Sequence, residues 1–437
     1  MRKAGKLKME KNSRKGLMDS IVVGAALFSM FFGAGNMIFP PYLGLQTGQE
    51  WLSSFFGYYI GDIGLALVAM FTLIRARGHE PVMAPLGKKL SILLMSTIVL
   101  CLGPFIAIPR TAATTFELSV VPLLESFPAP LFYFLFFTLV LMLCLNQSAV
   151  VDIVGKVLTP VLFVGLLVLI ALGVLNPLGP TDTASIIDNV FASGIQSGYQ
   201  TMDVLATTIF GALILNSVAE KGHTDEKSQI KVSLGASLVA GIGLFIVYFG
   251  LTYLGATVSS IYEVSVDRTQ LLIHLIQDLM PGNTGVIFFA VVVCMACLTT
   301  AIALTSSAAN YFCTISRGKL QYKGLVVIVC IFSAAISCVG TETIITLASP
   351  VLSIMYPPVL ALVIFSFLGH RVPLWGCRIG TLAATLCGIC EMLSGLGLMN
   401  NFLLSLPFGN LGFGWLIPSA IGTLLGCLIK SKKPVEA

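Results

Sequence analysis

Five ionisable residues lie inside long apolar stretches of this sequence, where a charge is expensive. They are Asp62, Arg110, Glu117, Asp203 and Glu391. A charged side chain in the hydrocarbon of a bilayer costs roughly 2.5–3.5 kcal/mol on insertion scales, and such residues often handle substrates, ions or protons. Each of the five is therefore a candidate functional residue. In a wet vestibule the same charges would cost little, and that interpretation stays open for Arg110 and Asp203.

A second candidate is the glycine-containing run Gly33–Asn36, which Pro40 and Pro41 follow closely. Glycine lowers the cost of leaving helical geometry, so this run predicts a break in a helix. The free N–H groups at a break can hold a carboxylate, and its free carbonyl groups can hold an ammonium group or a cation. We expect these groups to be the Phe31 carbonyl and the N–H groups of Ala34 and Gly35. Close packing of two helices is the alternative use of such a run.

A third candidate region follows Asp203, with only 16 uncharged residues before Glu220. So short a segment must either carry Asp203 into the membrane or be broken. Its candidate substrate-binding residues are Thr207, Thr208, Phe210 and Gly211. Phe210 would cover an aliphatic side chain and the glycine would allow close backbone approach, although an aromatic residue here could equally be a plain packing contact.

Composition shows what must position these residues. Of the 437 residues, 56% are hydrophobic and only 10% are charged, and the mean hydropathy is +0.95. Soluble proteins carry roughly 25% charged residues, so most of this surface must face lipid. The net charge of +5 comes from Lys and Arg scattered over short loops, which does not favour a nucleic-acid partner. The eleven Cys form no CxxC pair and are interpreted as free thiols.

A spanning helix needs about 20 apolar residues. The basic N-terminus is followed by an uncharged run of 30 residues, Ser20–Gln49, which is too long for a signal-peptide core. Runs of this kind predict twelve spans, at 18–46, 52–73, 90–122, 130–147, 153–175, 198–220, 231–256, 284–313, 323–340, 343–369, 376–399 and 411–429.

Loop charges predict the orientation. With twelve spans both termini share one side, and 23 of the 25 Lys and Arg residues fall on that side, including Lys156 and the lysines of 430–433. The positive-inside rule therefore makes both termini cytoplasmic. The exceptions are Arg110, within the third span, and Arg268, in an outer loop.

Several functional classes lack support in the sequence. There is no GxxxxGK[ST] for ATP, and no HExxH, GxSxG or paired-acid motif for an intramembrane enzyme. The longest loops, about 176–197 and 257–283, leave no room for a soluble domain of any size. No cofactor is expected, and the energy for any transport must come from a gradient or a partner.

Five motifs give the chain a family resemblance. They are FGAGNMIFPP with GLQ (32–41, 44–46), IPRTA (108–112), GYQTMD (198–203), ACLTTA (296–301) and IMYPP (354–358). In this order they resemble the BrnQ-type branched-chain amino acid:cation symporters, and they extend from the first span to the tenth. Asp62 departs from the family pattern, and Glu391 lies in no quoted motif.

The resemblance implies a fold and a function. The fold is a LeuT-like five-plus-five inverted repeat with broken helices 1 and 6 and two further helices at the C-terminus. The chain would divide into a basic N-terminus (1–17), repeat one (18–175), repeat two (176–369) and spans 11 and 12 (370–437). The function is uptake of Leu, Ile and Val across a bacterial cytoplasmic membrane with Na⁺ or H⁺, by alternating access.

The resemblance also implies a Na⁺ site and a charged pair. The Na⁺ ligands would be the carbonyls of Ser29, Phe32 and Ala296 with the hydroxyls of Thr299 and Thr300. Adjacent threonines on a helix can instead bond back to their own backbone. Arg110 and Asp203, both in family motifs, are expected to gate the site or orient the substrate, and Asn36 to line it. Tyr356-Pro357-Pro358 is expected to interrupt the tenth span.

Alternative functions remain open at this level. A membrane sensor that binds an amino acid without transport, a carrier of another small hydrophobic amino acid, and a channel are each compatible with the sequence.

Overall fold

The computed structural model describes residues 2–124, 126–145, 158–400 and 402–429, with the backbone alone for 2–14 and 370. Within these residues the fold is helical and contains no strand. Lys156, the junction of spans 4 and 5 at 146–157, the lysines of 430–433 and most N-terminal basic side chains lie outside what is described. The predicted all-α membrane class is confirmed.

Eighteen α-helices of the described residues are named here in chain order. They are α1 Arg2–Phe31, α2 Ala34–Thr47, α3 Trp51–Tyr59, α4 Leu65–Ala76, α5 His79–Met83, α6 Lys88–Leu100, α7 Ala107–Thr115, α8 Ala129–Cys144, α9 Thr159–Leu175, α10 Val190–Tyr199, α11 Asp203–Glu220, α12 Glu226–Thr257, α13 Arg268–Leu279, α14 Asn283–Ile315, α15 Tyr322–Ser337, α16 Thr341–Leu368, α17 Leu374–Gly395 and α18 Leu416–Cys427.

The helices are compatible with twelve spans. By length and composition, seven helical stretches of the described residues can cross a membrane, and four shorter apolar helices accompany them. One of the seven, Ala34–Ala76, contains the second half of span 1 and all of span 2. Span 2 changes to a π-helical turn at Ile60–Gly64 between α3 and α4.

Span 1 is broken where its glycines predict. Helix α1 ends at Phe31 and α2 begins at Ala34, leaving Phe32 and Gly33 outside regular helix. A Cβ atom on Gly33 would lie 2.9 Å from the Thr300 hydroxyl of span 8. The lack of a side chain on Gly33 therefore permits the close approach of span 8.

Span 6 is also broken, but its first half was missed. Helix α10 ends at Tyr199 and α11 begins at Asp203, with Met202 in the left-handed region at φ 71°. The sequence places the start of the span at 198, so most of α10, residues 190–197, was wrongly assigned to a loop. Both alternatives for this span hold together, because the helix is broken and Asp203 is buried as well.

Two other spans differ from expectation. The predicted interruption of span 10 at Tyr356–Pro358 is wrong, since α16 is continuous through Pro350, Pro357 and Pro358. Packed membrane helices tolerate proline because neighbouring groups can satisfy the freed carbonyls. Span 3, by contrast, is interrupted at Cys101–Phe105, where Gly103 has non-helical angles.

The predicted loop at 257–283 contains a helix, α13, that packs on α2 and α14. Its first residue, Arg268, forms an ion pair with Glu342 at the start of span 10. The Arg268 guanidinium also lies 4.8 Å from the ring centre of Tyr42 in α2. This helix therefore links the second half of span 1 to span 10.

The packing of the first ten spans has an internal symmetry. Span 1 packs on span 7, and span 6 packs on span 2. Span 5 contacts spans 7 and 8, whereas span 10 contacts spans 2 and 3. Exchanging spans 1–5 with spans 6–10 in order, 1 with 6 and so on, converts the contact of spans 1 and 7 into that of spans 6 and 2. It likewise converts the contacts of span 5 with spans 7 and 8 into those of span 10 with spans 2 and 3. Because five is an odd number, the two halves enter the membrane from opposite faces, which is the predicted inverted repeat.

Glycines let spans 2 and 6 approach backbone to backbone. Gly57 and Gly61 of span 2 face Gly194 and Gly198 of α10, so each helix contributes a GxxxG pair. A Cβ on Gly198 would lie 2.6 Å from the Asp62 nitrogen. These contacts fix the position of Asp62 relative to the break in span 6.

Gly198→Ala is expected to lower the free energy of unfolding by about 1–3 kcal/mol, because the added methyl group overpacks this interface. The measurement is thermal unfolding of the purified protein in detergent. Gly324→Ala is the control, since a Cβ on that helical glycine meets no described atom within 4 Å. Equal melting temperatures for the two variants would contradict the close-contact interpretation.

Candidate functional site

The breaks in spans 1 and 6 meet at a small buried cavity in the middle of the bundle. Its volume is about 20 Å³, close to the space that one water molecule needs. The cavity is lined by Met30, Phe31, Gly33, Ala34, Asn36, Leu102, Ala107, Arg110, Thr111, Thr201, Met202, Asp203, Ala206, Phe210, Thr300 and Leu304. An amino acid can enter only if these side chains move apart.

Asn36 is the central hydrogen-bonding residue of this site. Its Nδ2 donates to Asp203 Oδ2 at 2.9 Å and to the Tyr248 hydroxyl at 2.5 Å, and lies 3.4 Å from Asp62 Oδ2. Its Oδ1 accepts from the Gly33 nitrogen at 3.3 Å. An amide nitrogen has two hydrogens, so it cannot fully satisfy three acceptors. Asn36 thus connects the two breaks to spans 2 and 7.

Asp62 and Asp203 form a buried carboxylate pair bridged by Asn36. Asp62 is 0% exposed and Asp203 is 4% exposed. The Thr201 hydroxyl lies 2.8 Å from Asp62 Oδ1 and also accepts, at 3.5 Å, from the Asp203 nitrogen. The sequence identified both acids as candidates but gave no reason to join them. Their contact depends on the packing of α10 against span 2.

Arg110 lies in the same site without pairing directly with a carboxylate of the described residues. Its guanidinium donates to the carbonyl oxygens of Gln200 at 2.8 Å and Thr201 at 3.4 Å, both in the break of span 6. Its Nε has no hydrogen-bond partner among those residues, although the side chain is only 3% exposed. Arg110 and Asp203 therefore line the same cavity, while the guanidinium binds backbone carbonyls.

The predicted separation of Arg110 from Glu117 also holds, because the Glu117 carboxylate accepts from the Thr341 nitrogen.

The five predicted cation ligands lie together beside the break in span 1. The Thr299 hydroxyl is 2.8 Å from the Ser29 carbonyl and 2.7 Å from the Ala296 carbonyl. The Thr300 hydroxyl is 3.5 Å from the Phe32 carbonyl. A hydroxyl has one hydrogen, so Thr299 can satisfy only one of its two carbonyls at a time. This leaves a concentration of oxygen lone pairs at the junction of spans 1 and 8.

Of the remaining predicted substrate residues, some line the cavity and others do not. Phe31 and Phe210 both line the cavity, and their ring centres lie 5.3 Å apart in an edge-to-face arrangement. Thr207 and Thr208 do not line it, because their hydroxyls donate to the Val204 and Leu205 carbonyls of their own helix. The role proposed for those two threonines stays a prediction.

The last three predicted substrate residues, Gly211, Gly35 and Ala34, have different surroundings. Gly211 faces Leu73 of span 2, where a Cβ would lie at 3.4 Å, and is not a cavity residue. Gly35 faces Arg110, and a Cβ on this glycine would lie 2.9 Å from the guanidinium. Ala34 begins α2, so the first N–H groups of this helix have no partner within it.

Two tyrosines at the carboxylate pair were not predicted from the sequence. Tyr248 of span 7 accepts from Asn36, and its ring packs edge-to-face on Tyr58 at 5.1 Å. The buried Tyr58 hydroxyl has no hydrogen-bond partner in the described part of the chain. Tyrosines in apolar runs are so often simple packing residues that their sequence context carries no signal for this role.

Comparisons with known proteins agree with this architecture. A family model described as "Branched-chain amino acid transport protein" matches residues 17–433. The branched-chain amino acid transport system 3 carrier protein of Pseudomonas aeruginosa is 36% identical, over 97% of this chain and 99% of its own. The branched-chain amino acid permease BrnQ of Escherichia coli K12 is 32% identical, over 94% of this chain and 95% of its own.

Solved structures show the same fold at low sequence identity. The closed conformation of Mhp1, a nucleobase-cation-symport-1 family transporter, has a TM-score of 0.65 at 13% identity, covering 93% of this chain and 91% of its own. A Na⁺-coupled sialic acid symporter has a TM-score of 0.63 at 14% identity, covering 94% and 90%. The LeuT-like fold expected from the sequence is therefore confirmed.

Proposed function

The chain belongs to the branched-chain amino acid transport protein family, and we propose that it is a symporter that imports Leu, Ile and Val with Na⁺ or H⁺. Its relatives are transport proteins, so it is a multi-pass transporter and not an enzyme. The observation that carries the proposal is the meeting of two helix breaks at one buried polar cavity. Broken helices in matching positions of two repeats mark the substrate site of such transporters.

The charges around the cavity favour a zwitterionic substrate. Arg110 and Asp203 line the cavity, and Asp62 is joined to Asp203 through Asn36, so these groups carry an excess of one negative charge when all three are ionised. In this proposal the ammonium group of the substrate binds between Asp203 and the Phe31 carbonyl. Its carboxylate binds the free N–H groups at the start of α2. Both substrate charges then have partners in a region where an unpaired charge is costly.

The apolar part of the cavity favours an aliphatic side chain. Phe31 and Phe210 provide aromatic surfaces, and Met30, Leu102 and Leu304 add aliphatic ones. One methylene group is worth only about 1–3 kcal/mol of discrimination. A shared carrier for Leu, Ile and Val is therefore expected, with weak preference among them.

Coupling to Na⁺ is supported by the oxygen cluster at the junction of spans 1 and 8. Na⁺ prefers hard oxygen ligands, and three carbonyls with two hydroxyls supply them without adding charge. Because its ligands come from both the broken span 1 and span 8, a bound cation would hold these two helices together. The Asp62–Asp203 pair offers a different route, in which a proton neutralises one carboxylate.

Transport by alternating access follows from the repeat architecture. We place both termini in the cytoplasm of a bacterial cell, because the positive-inside pattern assigns the Lys- and Arg-rich loops to that side. The halves of spans 1 and 6 then approach the central site from opposite faces. Rocking of one group of helices against the other would open the site to each side in turn.

The experiment that tests this function is uptake of labelled leucine into proteoliposomes, with Na⁺ and pH gradients imposed separately. Gradient-driven accumulation is expected, with isoleucine and valine as competitors. Binding without accumulation would instead favour a sensor, and competition by other small hydrophobic amino acids alone would reassign the substrate. Uptake that merely equalises leucine across the membrane would favour a channel.

A further inference from the structure

A second, larger cavity lies apart from the central site. It has a volume of about 380 Å³ and is formed by α10, α16, α17 and the segment 403–414 that joins spans 11 and 12. This volume is within the roughly 300–1,000 Å³ typical of small-molecule sites. In the proposed orientation, the 403–414 segment faces the outside of the cell. The cavity therefore lies on the entry side of the transport path.

Among the described residues that line this cavity, Glu391 of span 11 is the only one with a charged side chain. The half-buried carboxylate forms no ion pair or hydrogen bond with the residues that the structure describes. The central site makes no use of Glu391. A carboxylate that faces a cavity inside the membrane span without a basic partner indicates a place for a cationic group.

Other groups around the cavity complement the rest of an amino acid. The Tyr199 hydroxyl and the Gln200 side-chain oxygen are buried without hydrogen-bond partners among the described residues. The Tyr199 hydroxyl can donate to a carboxylate. Leu352 and Leu403 provide apolar surface for an aliphatic side chain.

A stacked pair of tyrosines lies at the large cavity, beside the break in span 6. The rings of Tyr199 and Tyr356 are 4.5 Å apart at 27°, and both line the large cavity. The buried Tyr356 hydroxyl has no hydrogen-bond partner in the part of the chain described. Gln200, next to Tyr199, accepts from Arg110 through its carbonyl. Of these residues of the large cavity, Gln200 is therefore the one that also contacts Arg110 of the central site directly.

We propose that the large cavity is an outer binding site for an amino acid, which Glu391 recognises through the ammonium group. The ligand waits here and passes the Tyr199–Tyr356 pair when the central site opens. This inference rests on the proposed transport function, because only a transporter needs an entry site in series with a central one.

The test counts leucine sites at equilibrium in detergent-purified protein and measures uptake in proteoliposomes. Wild type is expected to bind two leucines per chain. Glu391→Gln, which keeps the shape and removes the charge, should weaken one of them by about tenfold or more, as expected for a charged hydrogen bond. The KM for uptake should rise while the maximal rate changes little. The keto acid 4-methyl-2-oxopentanoate, which lacks the ammonium group, should not compete at the outer site.

Gly395→Leu provides an independent steric test. Gly395 lines the cavity, and a Cβ there meets no described atom within 4 Å, so a side chain can be added at this position and is expected to occupy part of the space. It should also reduce two sites to one. Glu263→Gln, on the exposed loop before α13, is the charge-matched control and should bind two. One site in wild type, or two unchanged sites in both cavity variants, would overturn the inference. Absence of uptake by wild type that still binds two leucines would overturn only the transport function.

Discussion

Asn36→Ala is expected to reduce leucine uptake by about a hundredfold, because this side chain holds the two helix breaks in register with spans 2 and 7. It is also expected to lower the free energy of unfolding by about 1.5–3 kcal/mol. This is the usual worth of a hydrogen bond to a charged group, and here two carboxylates, Asp62 and Asp203, lose a donor. Uptake in proteoliposomes and thermal unfolding in detergent measure the two effects.

A second substitution separates the loss of stability from the loss of the link between the two helix breaks. In the Asn36→Ala background, Asp62→Asn removes one of the stranded charges and should restore part of the lost stability. It should not restore uptake, because the link between the breaks is still missing. Asn400→Ala, on an exposed loop, serves as the control. If Asn36→Ala unfolds at the same temperature as this control, the carboxylates do not depend on Asn36.

Thr299→Ala with Thr300→Ala is expected to raise the Na⁺ concentration for half-maximal uptake by about 10–100-fold, the usual effect of disturbing the ligands around a metal ion. The double variant removes two of the five proposed oxygen ligands and leaves the three carbonyls. Stability should change less than cation dependence, since the two hydroxyls contribute only neutral hydrogen bonds to the Ser29, Ala296 and Met30 carbonyls, each worth about 0.5–1.5 kcal/mol. The measurement is leucine uptake as a function of external Na⁺ at constant pH.

The pair Thr381→Ala with Thr385→Ala provides the matched control. Both hydroxyls donate to carbonyls within span 11, far from the proposed cation. This variant should keep the wild-type Na⁺ dependence. A Thr299/Thr300 variant with unchanged Na⁺ dependence would contradict the cation site, and a strong pH-gradient dependence would then direct attention to the Asp62–Asp203 pair.

The parts of the fold that follow from local sequence were predictable. The break in span 1 falls at Gly33, within the glycine-containing run that predicts it. The five oxygen atoms proposed as cation ligands are implied by the family resemblance, and two of its motifs carry Phe32, Ala296, Thr299 and Thr300. The alternating charge of the loops likewise supported twelve spans.

Other features depend on contacts between distant segments and could not be predicted. Helix α10 is too short and too polar to be identified as part of a span, and it is held there by glycine contacts with span 2. The same contacts bring Asp62 beside Thr201. Span 10 remains helical through Pro357, although the local sequence predicts an interruption there. In each case the structure depends on tertiary packing, in part between residues more than a hundred positions apart in the sequence.

The small volume of the central cavity has a consequence for measured affinity. A pocket of about 20 Å³ cannot hold leucine, so only the fraction of molecules that has opened can bind. The apparent dissociation constant then equals the intrinsic constant divided by that fraction. If one molecule in a hundred is open, affinity falls about a hundredfold with no change in any contact to the ligand. Temperature, lipid composition and substitutions remote from the cavity can therefore alter apparent affinity as strongly as changes to the residues that touch the substrate.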